Sequence, residues 1–135
     1  MINLESIVSN YAGVRRPWIG DTTDPLYKQY KFNTGIDIFG TDVYAYASGV
    51  VIAVGKDDDN YYAVTVQYDA TRCIRYCHLD TVTVSEGEAI QSSFHVGTAH
   101  KYLHFEYITY ENSMWPVRIG TQTYYKHDPS SIQIA

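Results

Sequence analysis

At 135 residues the chain has the length of one domain and is too short for two ordinary ones. A net charge of −5, with the basic residues scattered, excludes the clustered positive footprint of a nucleic-acid binder. No apolar run approaches the length of a membrane span.

Fourteen tyrosines and many β-branched residues, without long Ala/Leu/Glu/Lys periodicity, favour strands. The start, Met1-Ile2-Asn3-Leu4-Glu5, lacks the basic region and apolar core of a secretory signal. The expectation is synthesis in the cytoplasm, with exit by lysis or by assembly into a particle. Residues 20–25, Gly-Asp-Thr-Thr-Asp-Pro, read as a turn-rich loop. Val43 to Gly55 reads as one long strand with a kink or bulge at Gly49. Lys56-Asp57-Asp58-Asp59-Asn60 follows as a solvated hairpin turn; it lacks the Gly and distal Glu of an EF-hand.

Tyr62 to Tyr68 alternates as a half-buried antiparallel strand should, and Cys73 to Leu79 returns as its partner. Cys73 and Cys77, four residues apart on one strand, would hold their Cα atoms about 13 Å apart, beyond disulfide reach. They read as two reduced thiols on one strand face. Thr81 to Val84 makes a short strand, and Gln91 to Lys101 a connecting loop that carries His95 and His100. In Tyr102-Leu103-His104-Phe105-Glu106 the alternation puts Tyr102, His104 and Glu106 on one side and Leu103 and Phe105 on the other. The chain then turns at Glu111-Asn112-Ser113 and returns through Trp115 to Gly120. Strands at short spacing with no intervening helix predict an all-β fold, a single antiparallel sheet domain.

Three stretches in this order carry a resemblance: Asn33-Thr34-Gly35-Ile36-Asp37, Arg75-Tyr76-Cys77-His78-Leu79, and Tyr102 to Glu106. Together they resemble the lysostaphin-type zinc endopeptidases that cut peptidoglycan cross-links, whose motifs are H-x-x-x-D, Tyr-x-His-Leu and His-Leu-His-Phe-Glu. Gly13 and Arg15 match a Gly-x-Arg pair on that family's entry strand, and His127-Asp128-Pro129 resembles its close. The resemblance implies one domain over residues 1–135, strongest over 13–129, of the duplicated-hybrid-motif kind with a groove over the central sheet. It offers Tyr30, Tyr44, Tyr46, Tyr76 and Tyr102 as candidates for an aromatic lining.

By the same resemblance the zinc ligands map to Asn33, Asp37 and His104, with Asn33 standing where the family has His. The two proton-handling histidines map to His78 and to Tyr102, again a replacement. An amide oxygen is a weak zinc ligand beside an imidazole nitrogen. A tyrosine hydroxyl donates a hydrogen bond but is a poor base near neutral pH. The family's long glycine-rich loop before its His-Leu-His strand is cut here to Val96-Gly97-Thr98-Ala99-His100-Lys101.

The implied cofactor is therefore none, or weakly bound zinc. The implied partner is peptidoglycan or a cell-wall peptide or glycan, with other proteins of a particle. Two functions stand at this point. One is a degenerate, non-catalytic cell-wall-binding or structural module, as in a phage tail or virion. The other is an active peptidoglycan endopeptidase with a metal site rebuilt through His95 or His100.

Overall fold

The computed structural model describes residues 36–39, 41–57, 60–113, 115–127, 129 and 132. Among them are nine strands in one antiparallel sheet and no α-helix, as the alternating pattern predicts. No helix among the described residues is long and apolar enough to cross a membrane. The strands are β1 (Ile36–Phe39), β2 (Asp42–Tyr44), β3 (Gly49–Lys56), β4 (Tyr62–Asp69), β5 (Arg72–Val82), β6 (Ala89–Ile90), β7 (His95–Thr109), β8 (Pro116–Ile119) and β9 (Gln122–His127). The main order is β6-β3-β4-β5-β7-β9-β8.

β7 is the longest element, at 15 residues. One edge pairs with β5. The other is tiled in turn by β2 at its start, β1 in its middle and β9 at its end. Leu103 and Phe105 enter the main core with Ile74 and Tyr76 of β5 and Val64 and Val66 of β4. Phe105 is fully buried and meets Tyr46 and Tyr76 edge to face, at centroid distances of 5.9 and 5.8 Å. That geometry suits the ring quadrupoles. The Tyr76 hydroxyl accepts the Tyr46 backbone N–H at 2.7 Å. Tyr76 is thus a core residue on the face opposite His104, and it lines no groove.

Two further expectations change. The long strand over 43–55 divides into β2 and β3, and the register shift lies between Val51 and Ala53 rather than at Gly49. Gly49 is needed for close approach: a Cβ there would lie 2.3 Å from the Gln67 carbonyl oxygen. The expected loop over 91–101 is largely the first half of β7, because His95 to Ala99 finds partners on both β2 and β5. The segment after the Glu111 turn is β8, whose partner the sequence did not specify; it pairs with β9, which in turn pairs with β7. Cys73 and Cys77 are buried free thiols on β5, as read.

Gly97 sits where β7 is paired on both sides, and a Cβ there would lie 2.1 Å from the Thr81 carbonyl oxygen. Backbone cannot swing aside as a flexible side chain can. Gly97→Ala should therefore lower unfolding stability by about 1–3 kcal/mol in urea titration, the usual cost of overpacking. Gly55→Ala, with open space around its Cβ position, should change stability by less than about 0.5 kcal/mol.

Candidate functional site

The site is built where β5 and β7 slip against each other. Cys77 pairs with His104, but the next paired residues are Leu79 and Ala99, so one residue of β5 faces four of β7. The excess is absorbed at His78 and Lys101, both with positive φ (67° and 72°). Such left-handed residues are uncommon outside glycine and are held by their surroundings.

The bulge gathers rings. His78 is 7% exposed and lies almost parallel to the Tyr102 ring, with centroids 4.1 Å apart and planes 15° from parallel. Tyr61 packs on His78 at 4.3 Å and stacks on His100 at 4.9 Å. His78 Nδ1 lies 3.1 Å from the Tyr102 carbonyl oxygen, an acceptor only, so Nδ1 carries the proton. Asp57 pins the cluster from the β3–β4 turn: one carboxylate oxygen accepts the Tyr61 N–H at 3.1 Å and the other the His78 N–H at 3.2 Å. Asp57 is thus part of the site's frame and not merely a solvated turn residue.

On the face of β7 turned away from the main core, His104 Nε2 lies 2.9 Å from the Glu106 carboxylate. Glu106 is 2% exposed. It also receives Arg75 of β5 at 2.5 Å and Lys126 of β9 at 3.1 Å. Burial alone would raise the Glu106 pKa; the hydrogen bond and charge of His104, with Arg75 and Lys126, reverse this and hold it far below the usual carboxylate range. Arg75 sits directly opposite Glu106, and Asp37 of β1 is paired in register with His104.

A family model for peptidase family M23 matches residues 31–116, which span all three motifs. The chain belongs to peptidase family M23. Solved structures share the M23 fold at low identity. CbpA from L. salivarius REN is 23% identical over 56% of this chain and 56% of its own, with a TM-score of 0.51. The antimicrobial peptidase lysostaphin from Staphylococcus simulans is 23% identical over 67% of this chain and 40% of its own, at 0.51. The catalytic domain of EnpA, a prophage-encoded M23 protein of Enterococcus faecalis, is 18% identical over 76% and 79%, at 0.59. The chain spans little more than half the length of the first of these and less than half of the second. No curated protein matches.

Of the M23 positions named from sequence, His78 and Tyr102 are brought into contact, and Asp37 is placed on the strand beside His104. Asn33 lies outside the described residues, as do Gly13, Arg15 and Tyr30. His95 lies 3.4 Å from Asp42, and His100 lies 3.1 Å from Asp80. Both belong to β7 and not to a loop. Tyr61, Arg75, Asp57 and Lys126 carry no motif signal; their roles follow from register across strands far apart in sequence. Glu106 had two signals, the alternation that sets it on the His104 face and its match to the last residue of the His-Leu-His-Phe-Glu motif.

Because the folded pKa of Glu106 lies below its ordinary value of 4.5, the stability it confers is present above that value and is lost as pH falls through the folded one. Glu106→Gln, which leaves Arg75 and Lys126 without their counter-charge, should cost about 3–5 kcal/mol at neutral pH. The gap from wild type should narrow in acid, read from urea midpoints at about pH 7 and about pH 3.

Proposed function

We propose that this M23 domain is a non-catalytic module that binds peptidoglycan or a cell-wall peptide, carried on a phage tail or related particle. The observation that carries this reading is the state of His78. Its ring is covered on one side by Tyr102, which stands where the family has its second proton-handling histidine, and is packed by Tyr61 as well. An imidazole 7% exposed and packed by two aromatic rings offers little open edge through which to exchange protons with a substrate. The prophage-encoded EnpA domain, alike in fold, supports the particle assignment by analogy.

The donor set for zinc points the same way. His104 suits a metal ligand, since a ligating histidine usually gives its other N–H to a carboxylate, as Nε2 does to Glu106. Asp37, its cross-strand neighbour, is a second candidate donor. The third position is the neutral amide of Asn33, a poor substitute for imidazole. Zinc in such a set would polarise a peptide carbonyl when bound, but the set favours weak occupancy. The intact His104–Glu106 pair favours a second reading, an active zinc endopeptidase.

Protein purified without chelator should hold well under one zinc per chain by elemental analysis, and should sediment with insoluble peptidoglycan without releasing new amino termini. Stoichiometric zinc together with release of amino termini would establish the second reading instead. Asn33→His should raise zinc affinity by several kcal/mol in calorimetry, a fraction of the roughly 10–16 kcal/mol of a complete structural site. An unchanged affinity would mean that Asp37 and His104 do not converge with position 33.

A further inference from the structure

Beyond the site, one face of the sheet carries a row of joined polar side chains that the M23 motifs leave unused. It begins at a second slip between β5 and β7. Leu79 pairs with Ala99 and Thr81 with Thr98, so Asp80 is an extra residue that bulges out of the ladder. Leu79 and Ala99 are buried, and the alternation on β7 turns Thr98 and His100 to the opposite face. There the side chains meet across the strands. His100 Nδ1 lies 3.1 Å from Asp80, the Thr81 and Thr98 hydroxyls are 2.6 Å apart, and Thr83 Oγ1 lies 3.4 Å from His95 Nδ1. His95 Nε2 then faces Asp42 at 3.4 Å, and its ring leans on Tyr44 at a centroid distance of 5.3 Å. The row lies at the surface: Tyr44 is 37% exposed, and the side chains of His100 and Asp80 are 40% and 45% exposed. At its inner end His100 stacks on Tyr61, which packs on His78, so the row starts beside the bulged site and runs away from it.

We propose that this row is a track for an extended, uncharged glycan chain. The groups it presents decide the class of ligand. Threonine hydroxyls and imidazoles both give and accept hydrogen bonds, aspartates accept them, and Tyr44 offers a ring face with a hydroxyl at its tip. Sugar hydroxyls likewise give and accept, and the C–H face of a sugar ring packs on an aromatic one. Among the described residues neither Asp42 nor Asp80 is met by lysine or arginine; histidine is the partner of each. Two carboxylates without a fixed cation repel an acidic peptide and leave neutral hydroxyls unopposed. His95 and His100 are five residues apart on β7, a span of roughly 17 Å in an extended strand. That length suits a chain better than a single sugar. The proposal rests on the cell-wall reading and narrows it, since of the two components of peptidoglycan it assigns the glycan strand to this face.

The full chain is tested by calorimetry against a hexamer of N-acetylglucosamine and against soluble stem peptide, and by sedimentation with insoluble peptidoglycan. Wild type should bind the hexamer and pellet with peptidoglycan, and stem peptide should not compete with the hexamer. Tyr44→Ala and Asp80→Ala, at the two ends of the row, should each weaken hexamer binding by about tenfold, the loss expected when an aromatic face or a charged hydrogen-bond partner is removed. Tyr110→Ala, which removes a comparably exposed ring outside the row, should leave it unchanged. Circular dichroism verifies each fold, and where Tyr44→Ala does not fold, Tyr44→Leu removes the ring while keeping bulk. Sedimentation with peptidoglycan without hexamer binding, or hexamer binding unchanged in either folded variant, overturns the track and leaves the cell-wall reading intact. Stem peptide that displaces the hexamer makes the row a peptide site and overturns it too. Failure to sediment, with the hexamer still bound through Tyr44 and Asp80, overturns the cell-wall reading instead. Binding to neither overturns both.

Discussion

The pairing of β5 with β7 governs this domain. It spans the sheet from the Thr109 end of β7 to its Gly97 end, and it changes register twice, by several residues between Cys77 and Leu79 and again between Leu79 and Thr81. On the Thr109 side of the first slip, alternation sends Leu103 and Phe105 into the core and leaves His104 and Glu106 on the other face. On the other side, two left-handed residues turn the backbone so that His78 and Tyr102 meet ring to ring. A residue inserted on either strand would exchange the faces. The core and the site are therefore specified by the same set of backbone hydrogen bonds.

That coupling explains how a buried carboxylate is tolerated. Glu106 would be costly in this position if it were alone, since desolvation opposes its charge. The register that exposes His104 also brings Arg75 opposite Glu106, and β9 adds Lys126 from the other side. The charge is paired because the strands are, and the strands on either side of β7 are tied to it by more than backbone bonds. The insertion of β9 between β7 and β8 thus has a chemical result as well as a topological one.

Much of this was legible in the sequence. Period-two alternation gives β4 as a strand and the His104 stretch of β7 with its inward face, and the order of the three motifs gives the family. But β4 is not half-buried as its alternation suggests, since Ala63 to Val66 are buried on both faces. What escaped was non-local. Val43 to Gly55 looks continuous by composition, yet Ala45 to Ser48 leave the ladder, because β2 pairs with β7 while β3 pairs with β4. His95 to Lys101 looks like a loop by its glycine and small residues, yet it is held as strand by partners on both edges. Tyr76 resembles a groove aromatic by type, but its place beside Cys77 on an alternating strand sends it inward. The bulge that unites His78 with Tyr102 has no local signature at all, since neither His78 nor Lys101 is a residue that announces positive φ.

The two thiols of β5 have a practical consequence. Cys73 lies in the small cluster with Ile108 and Tyr124, and burial pushes its pKa up to about 11. Cys77 lies beside His104 in the cross-strand register, and burial raises its pKa further. Both are inert to alkylating reagents while the sheet is closed, because the reactive species is the exposed thiolate. Each is therefore an intrinsic reporter of opening at a different place, Cys73 where β9 meets β7 and Cys77 under the histidine. The order in which the two become alkylated would record, without any introduced label, which end of the sheet breathes first.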